Sequence, residues 1–141
     1  MHPFPKTRFL CVSLLLLLQS FQSVDAQQLL PSVGERQQYT VNIEMSRGYI
    51  SGVGIMKNDG EQLLCCVFNE FGVSAIDFTY DLRKHKVKLH SVMKMLDKWY
   101  IRRVLRKDLR SLLEKMSHGE SVYENVKRNI TYRFEPLKIE D

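Results

Sequence analysis

Between Tyr39 and His90 apolar residues recur at every second position in one short segment after another, each closed by turn-forming residues. Tyr39, Val41, Ile43 and Met45 alternate with Thr40, Asn42 and Glu44 before Ser46, Arg47 and Gly48 interrupt the run. A period of two puts one set on one face of an extended strand, so each segment reads as a half-buried strand. Further segments lie at residues 49–56, 62–68, 75–81 and 86–90, so five strands precede any helix. The breaks are short, and the one at Lys57, Asn58, Asp59 and Gly60 ends in Asp-Gly, a strong hairpin signal. Short connections allow only antiparallel neighbours.

Two departures from plain alternation bear on the shape of the sheet. The second segment carries Gly52 and Gly54 after Gly48, and glycine inside a strand marks a bulge, a bend or a close backbone approach. A curved sheet needs such points. The third segment, Leu63 to Phe68, is apolar at every position. That predicts a central strand covered on both faces, or one whose second face meets a ligand or another chain.

Past His90 the period changes. Ser91 can cap a helix that starts after it, and Val92, Met95, Leu96 and Trp99 fall at helical spacing. A second helical set, Ile101, Val104, Leu105, Leu109, Leu112 and Leu113, is out of phase with the first, which predicts a break near Trp99 to Ile101. The helix should span 92–115 and stop at Ser117, His118 and Gly119. Residues 123–127 are ambiguous, whereas Ile130, Tyr132 and Phe134 alternate into a last strand that Pro136 ends, ahead of a frayed tail at 137–141. The expected fold is α+β: a curved, half-barrel-like antiparallel sheet of about six strands, with a broken helix on its concave face before the last strand. One domain, 39–136, comes after an extended lead-in at 27–38 with no specific role.

The first 26 residues read as a secretory signal peptide, with Lys6 and Arg8 before an apolar run and Val24 and Ala26 at a small-residue cleavage site. Cys11 lies inside that run, where it is poorly placed for a lipid anchor. The expected product is exported, periplasmic or secreted, and not lipid-anchored. Its remaining 115 residues hold two cysteines, Cys65 and Cys66, whose Cα atoms as neighbours lie only about 3.8 Å apart. That is closer than ordinary disulfides allow, so two free thiols, one on each side of a strand, are expected.

Residues 80–118 contain 12 Lys and Arg against 4 Asp and Glu, and most of the excess falls on the helix. Arg102, Arg103, Arg106, Lys107 and Arg110 lie within an arc of about 140° at 100° per residue. Such a stripe is either a solvated face or a docking surface for anionic headgroups. No metal-ligand spacing and no nucleophile motif is present, although Cys66 with His90, or Asp77 with Asp81, can be brought together on paper. Asn129-Ile130-Thr131 forms a glycosylation triplet, which such chains also carry by chance. The expectation is a protein without cofactor or catalysis, and nucleic acid is a poor partner for an exported chain.

The phrase NEFGVSAIDFTYD, joined to a basic helix with RRVLRKDLRSLL, resembles small exported Bacteroidetes proteins similar to the lipoprotein carriers and receptors of the bacterial envelope. The resemblance implies a half-barrel whose apolar concave side is lidded by helices and accommodates acyl chains. Carried onto this chain, it points Val41, Ile43, Phe68, Ile76 and Phe78 into an apolar cavity, with Trp99 and Leu105 on the lid. It also implies a lipid or an acylated protein as partner, with the basic stripe facing an anionic membrane surface. The alternative is a small exported interaction module whose sheet is fully packed and whose basic face binds an acidic protein or polysaccharide. A carrier needs an unfilled cavity; a module does not.

Overall fold

A computed structural model describes residues 28–137; the expected signal peptide and most of the tail lie outside the described residues. The elements are β1 (Arg36–Met45), β2 (Gly48–Asn58), β3 (Gln62–Asn69), β4 (Ser74–Asp81), β5 (Lys86–Val92), a 3-10 turn (Lys94–Leu96), α1 (Trp99–Ser117), β6 (Val122–Asn125) and β7 (Ile130–Pro136). They form a curled antiparallel half-barrel of seven strands in the order β5-β4-β3-β2-β1-β7-β6, with one helix. The meander runs from β1 out to the β5 edge. Helix α1 then carries the chain across to the other edge, where the β6–β7 hairpin adds to β1.

Asparagine and aspartate open most of these hairpins for one physical reason: a short polar side chain can accept the backbone N–H groups that a tight turn leaves free. Asp59 accepts from Gln62 and Glu61 at 2.8 and 2.9 Å, Asn69 from Phe71 and Val73 at 3.0 Å, and Asp81 from Lys84 and Arg83 at 2.8 and 2.9 Å. These amides, Gln62 first, hold the Asp59 carboxyl below its ordinary range, and Lys84 and Arg83 do the same for Asp81.

Two glycines of β2 mark close approaches of neighbouring chain. A Cβ on Gly52 would lie 1.8 Å from the Phe68 carbonyl oxygen, beside a register shift between Val67 and Phe68. A Cβ on Gly54 would lie 2.8 Å from Val41 Cγ2. Both positions let neighbouring chain close in on β2.

The enclosed face is filled. Tyr39, Val41, Ile43, Met56, Leu63, Val67, Ile76, Phe78, Tyr132 and Phe134 are buried from the sheet. They meet Leu105, Leu109, Leu112, Leu113 and Met116, the apolar stripe of α1. The helix reaches both β5 and β6, so it closes the opening of the half-barrel.

Several expectations are corrected. The ambiguous segment is the short strand β6, so the sheet has seven strands and α1 precedes the last two. The helix spans 99–117, not 92–115, and runs unbroken through Trp99 to Ile101; the interruption lies earlier, between the 3-10 turn and α1, and Ser91 caps neither. A register shift between Asp77 and Phe78 lets β5 continue, pairing Ser91 with Asp77 and Val92 with Ile76, and Met93 N–H still donates to Ala75 at 2.8 Å. Ladder partners there satisfy the backbone that a cap would have served, and α1 starts after Lys98 with no side-chain cap. Strand β3 is covered on one face only: Leu63, Cys65 and Val67 are buried, whereas Leu64 is exposed and Cys66 and Phe68 are half-buried.

The lead-in, too, is engaged. Leu29 N–H donates to Met116 O at 2.8 Å, Tyr39 OH to Leu29 O at 2.6 Å, and Asn58 Nδ2 to Pro31 O at 3.0 Å. It straps the end of α1 to β1 and β2.

Candidate functional site

The seven residues expected to line an apolar cavity are not brought together as one. Val41, Ile43, Ile76, Phe78 and Leu105 are 0–4% exposed and sit in the packed core. Phe68 is turned the other way: it pairs with Val53 on the outer face of the sheet, since the register of β2 with β3 puts Val53, Ile55 and Lys57 opposite Phe68, Cys66 and Leu64. Trp99 is 75% exposed at the start of α1. It stands beside the core, not over it.

The basic stripe is brought together, with unequal partners. Arg102 is paired with Asp97 at 2.7 Å, and Arg110 stands 3.7 Å from Glu114 one turn on. Arg103, Arg106 and Lys107 are exposed and pair with no described carboxylate. The first turn of α1 holds no acid, although the helix N-terminus favours negative charge. Of the stripe only Arg102 stands in that first turn, and Asp97 pairs with it.

Asp108, the one carboxylate between Arg102 and Arg110 in sequence, is not available to them. It is 3% exposed and turned toward the β6–β7 hairpin, where it accepts from Asn125 Nδ2 at 3.0 and 3.1 Å and from Tyr132 OH at 2.6 Å. Burial, then the carboxylate beside it, pushes the Tyr132 phenol well above its ordinary value. Asn125 Oδ1 in turn accepts the Arg128 N–H at 3.1 Å, which shapes the turn at residues 126–129.

That chain of contacts sets the turn against α1 and opens a cleft of about 460 Å³ between them. One wall is Trp99, Tyr100, Arg103 and Lys107, the other is Lys127 and Arg128, and Asp108 and Asn125 lie between. The two aromatic rings meet edge to face, with centroids 5.8 Å apart and planes at 88°, and Trp99 is left largely exposed. Four cations thus converge on one concavity that has an aromatic side. Lys127, Arg128, Asn125 and the inward turn of Asp108 escaped the sequence reading; the Lys-Arg pair between two strand segments was the available signal.

The pairings drawn for catalysis resolve into structural contacts. His90 Nε2 and Thr79 Oγ1 are 2.9 Å apart, Asp77 accepts from Ser74 Oγ at 3.1 Å, and Asp81 holds its own turn. Cys65 and Cys66 are free thiols, the first buried and the second half-buried beside Asp77. Among the described residues no cluster of three His, Cys, Asp or Glu could hold a metal, and no helix is long and apolar enough to cross a membrane. A larger groove of about 910 Å³ at the far end of α1 is lined by groups of mixed charge, including Glu114, Lys115, His118 and Glu120.

No protein-family model matches the chain, and no curated protein or solved structure matches it significantly.

Proposed function

We propose that this chain is an exported binding module that acts without catalysis and takes an acidic polymer, a polysaccharide or an acidic protein, on the basic face of α1. The observation that carries the reading is the division of the helix. Its apolar side is spent filling the half-barrel, whereas Arg103, Arg106 and Lys107 face solvent without carboxylate partners. A face that served only solubility would relieve that repulsion with interspersed acids. Each such cation contributes on the order of 1 kcal/mol near an anionic surface at low salt.

The test is charge reversal of Arg103, Arg106 and Lys107 together, all exposed, so that folding is retained. Retention of the protein on an immobilised acidic polysaccharide should be lost, and wild-type retention should fall as salt rises. Unchanged retention of the variant would sink the proposal.

The curled half-barrel supports a second reading, a carrier of lipid or lipoprotein acyl chains whose basic stripe docks to anionic headgroups. That reading requires α1 to leave the sheet and expose its leucines. Native mass spectrometry of protein taken gently from its own envelope separates the two, since a carrier brings acyl mass with it and a packed module does not.

A further inference from the structure

We infer that the seat of recognition is the cleft between α1 and the β6–β7 turn, and that it takes an acidic sugar unit, its charge carried by carboxylate or phosphate. This deepens the acidic-polymer reading and rests on it. Arg103 and Lys107 from the helix, and Lys127 and Arg128 from the turn, face the same cleft from two elements far apart in sequence. Guanidinium groups grip carboxylate or phosphate oxygens two at a time, so two arginines across a narrow space favour a compact anion over a diffuse surface.

Charge alone does not select a sugar; the aromatic side does. Trp99 lines the cleft and is 75% exposed, a flat apolar ring suited to the C–H face of a pyranose whose edge remains hydrated. Asp108 beneath the floor is 3% exposed and its oxygens are bonded to Asn125 and Tyr132, so it holds the floor in place, and its charge disfavours a bare anion lying directly over it. A ligand with a ring and a negative group at its edge fits the aromatic side and the four cations at once. The volume, about 460 Å³, lies within the range of small-ligand sites. Asp108 and Asn125 act as positioning residues, since their hydrogen bonds hold the turn's cations against the helix.

Trp99 is the only tryptophan in the chain, so intrinsic fluorescence reads this cleft directly. The protein is titrated with a hexuronate trisaccharide, its neutral methyl ester, a hexose phosphate and inorganic phosphate. A saturable Trp99 response to the trisaccharide or the hexose phosphate, roughly tenfold tighter than to the ester or to inorganic phosphate, is expected, and the tighter ligand names the source of the charge. Lys127→Ala with Arg128→Ala, both exposed in a turn, should weaken it by roughly tenfold while the far-ultraviolet circular dichroism stays unchanged. Equal binding of inorganic phosphate overturns the sugar assignment. Should wild type bind the acidic polymer with no response from Trp99, and the double variant bind it equally well, the cleft is wrong and the helix-face reading stands; if wild type binds no acidic polymer, both fall.

Discussion

Asp108 shows how much a single buried carboxylate can organise. In sequence it lies between Lys107 and Arg110, yet at 100° per residue it falls about 100° outside the arc of the five cations, toward the apolar side. The structure turns it inward, because Tyr132 and Asn125 present donors to it from the hairpin beyond. Asp108→Ala would leave both donors unpaired in a dry place and should lower the unfolding free energy by about 2–3 kcal/mol, read from the urea midpoint. The same variant should weaken the trisaccharide response of Trp99, because the turn loses its tether. The cysteines were legible at this scale, since a strand must send adjacent residues to opposite faces. Burial pushes both thiols upward, and Asp77 adds to the effect at Cys66. Ellman's reagent should therefore reach Cys66 slowly in the folded protein and Cys65 only on unfolding. Equal rates at the two would contradict the placement of Cys65 in the core.

At the level of elements, periodicity carried nearly everything that depends on local geometry. Five strands, one helix after them and the final strand were all visible, because burial on one face imposes a period of two or 3.6. The misses lie where local geometry is ambiguous. Strand β6 is four residues long and too short to show a period. Ser91 has the chemistry of a cap but was claimed by the ladder with β4. Leu64, Cys66 and Phe68 promised a second covered face that the described structure leaves partly open. Two substitutions test the packing. Leu109→Ala, at a fully buried site of α1, should cost about 3 kcal/mol of stability in denaturant unfolding. Gly52→Ala collides with backbone and should cost more than Gly54→Ala, where the obstacle is a valine methyl that can shift.

The molecule as a whole should respond to alkali in one direction. The Tyr39 and Tyr132 phenols and the Cys65 thiol are all raised by burial, so the folded state keeps protons that the unfolded chain gives up. Above the ordinary thiol and phenol values of 9.0 and 10.0 the unfolded state binds fewer protons, and stability must fall as pH rises further. Urea midpoints should be level from these groups below pH 9 and decline steadily above it, with a shallower decline for Tyr39→Phe. A midpoint insensitive to pH in the alkaline range would mean that these groups are not buried as described.

The order of strands along the chain, the curl of the sheet and the basic side of the helix come from sequence alone, because each depends on residues within one or two turns or one hairpin. A helix on the concave face was expected as well, but whether that helix leaves the concavity empty or fills it depends on how its leucines fit against side chains from strands far away in the chain. The cleft belongs wholly to that second kind of information. Arg103 and Lys127 are neighbours across it only because the helix spans the half-barrel from edge to edge and Asp108 draws the returning hairpin against it. Long-range closure of this sort leaves no period in the sequence.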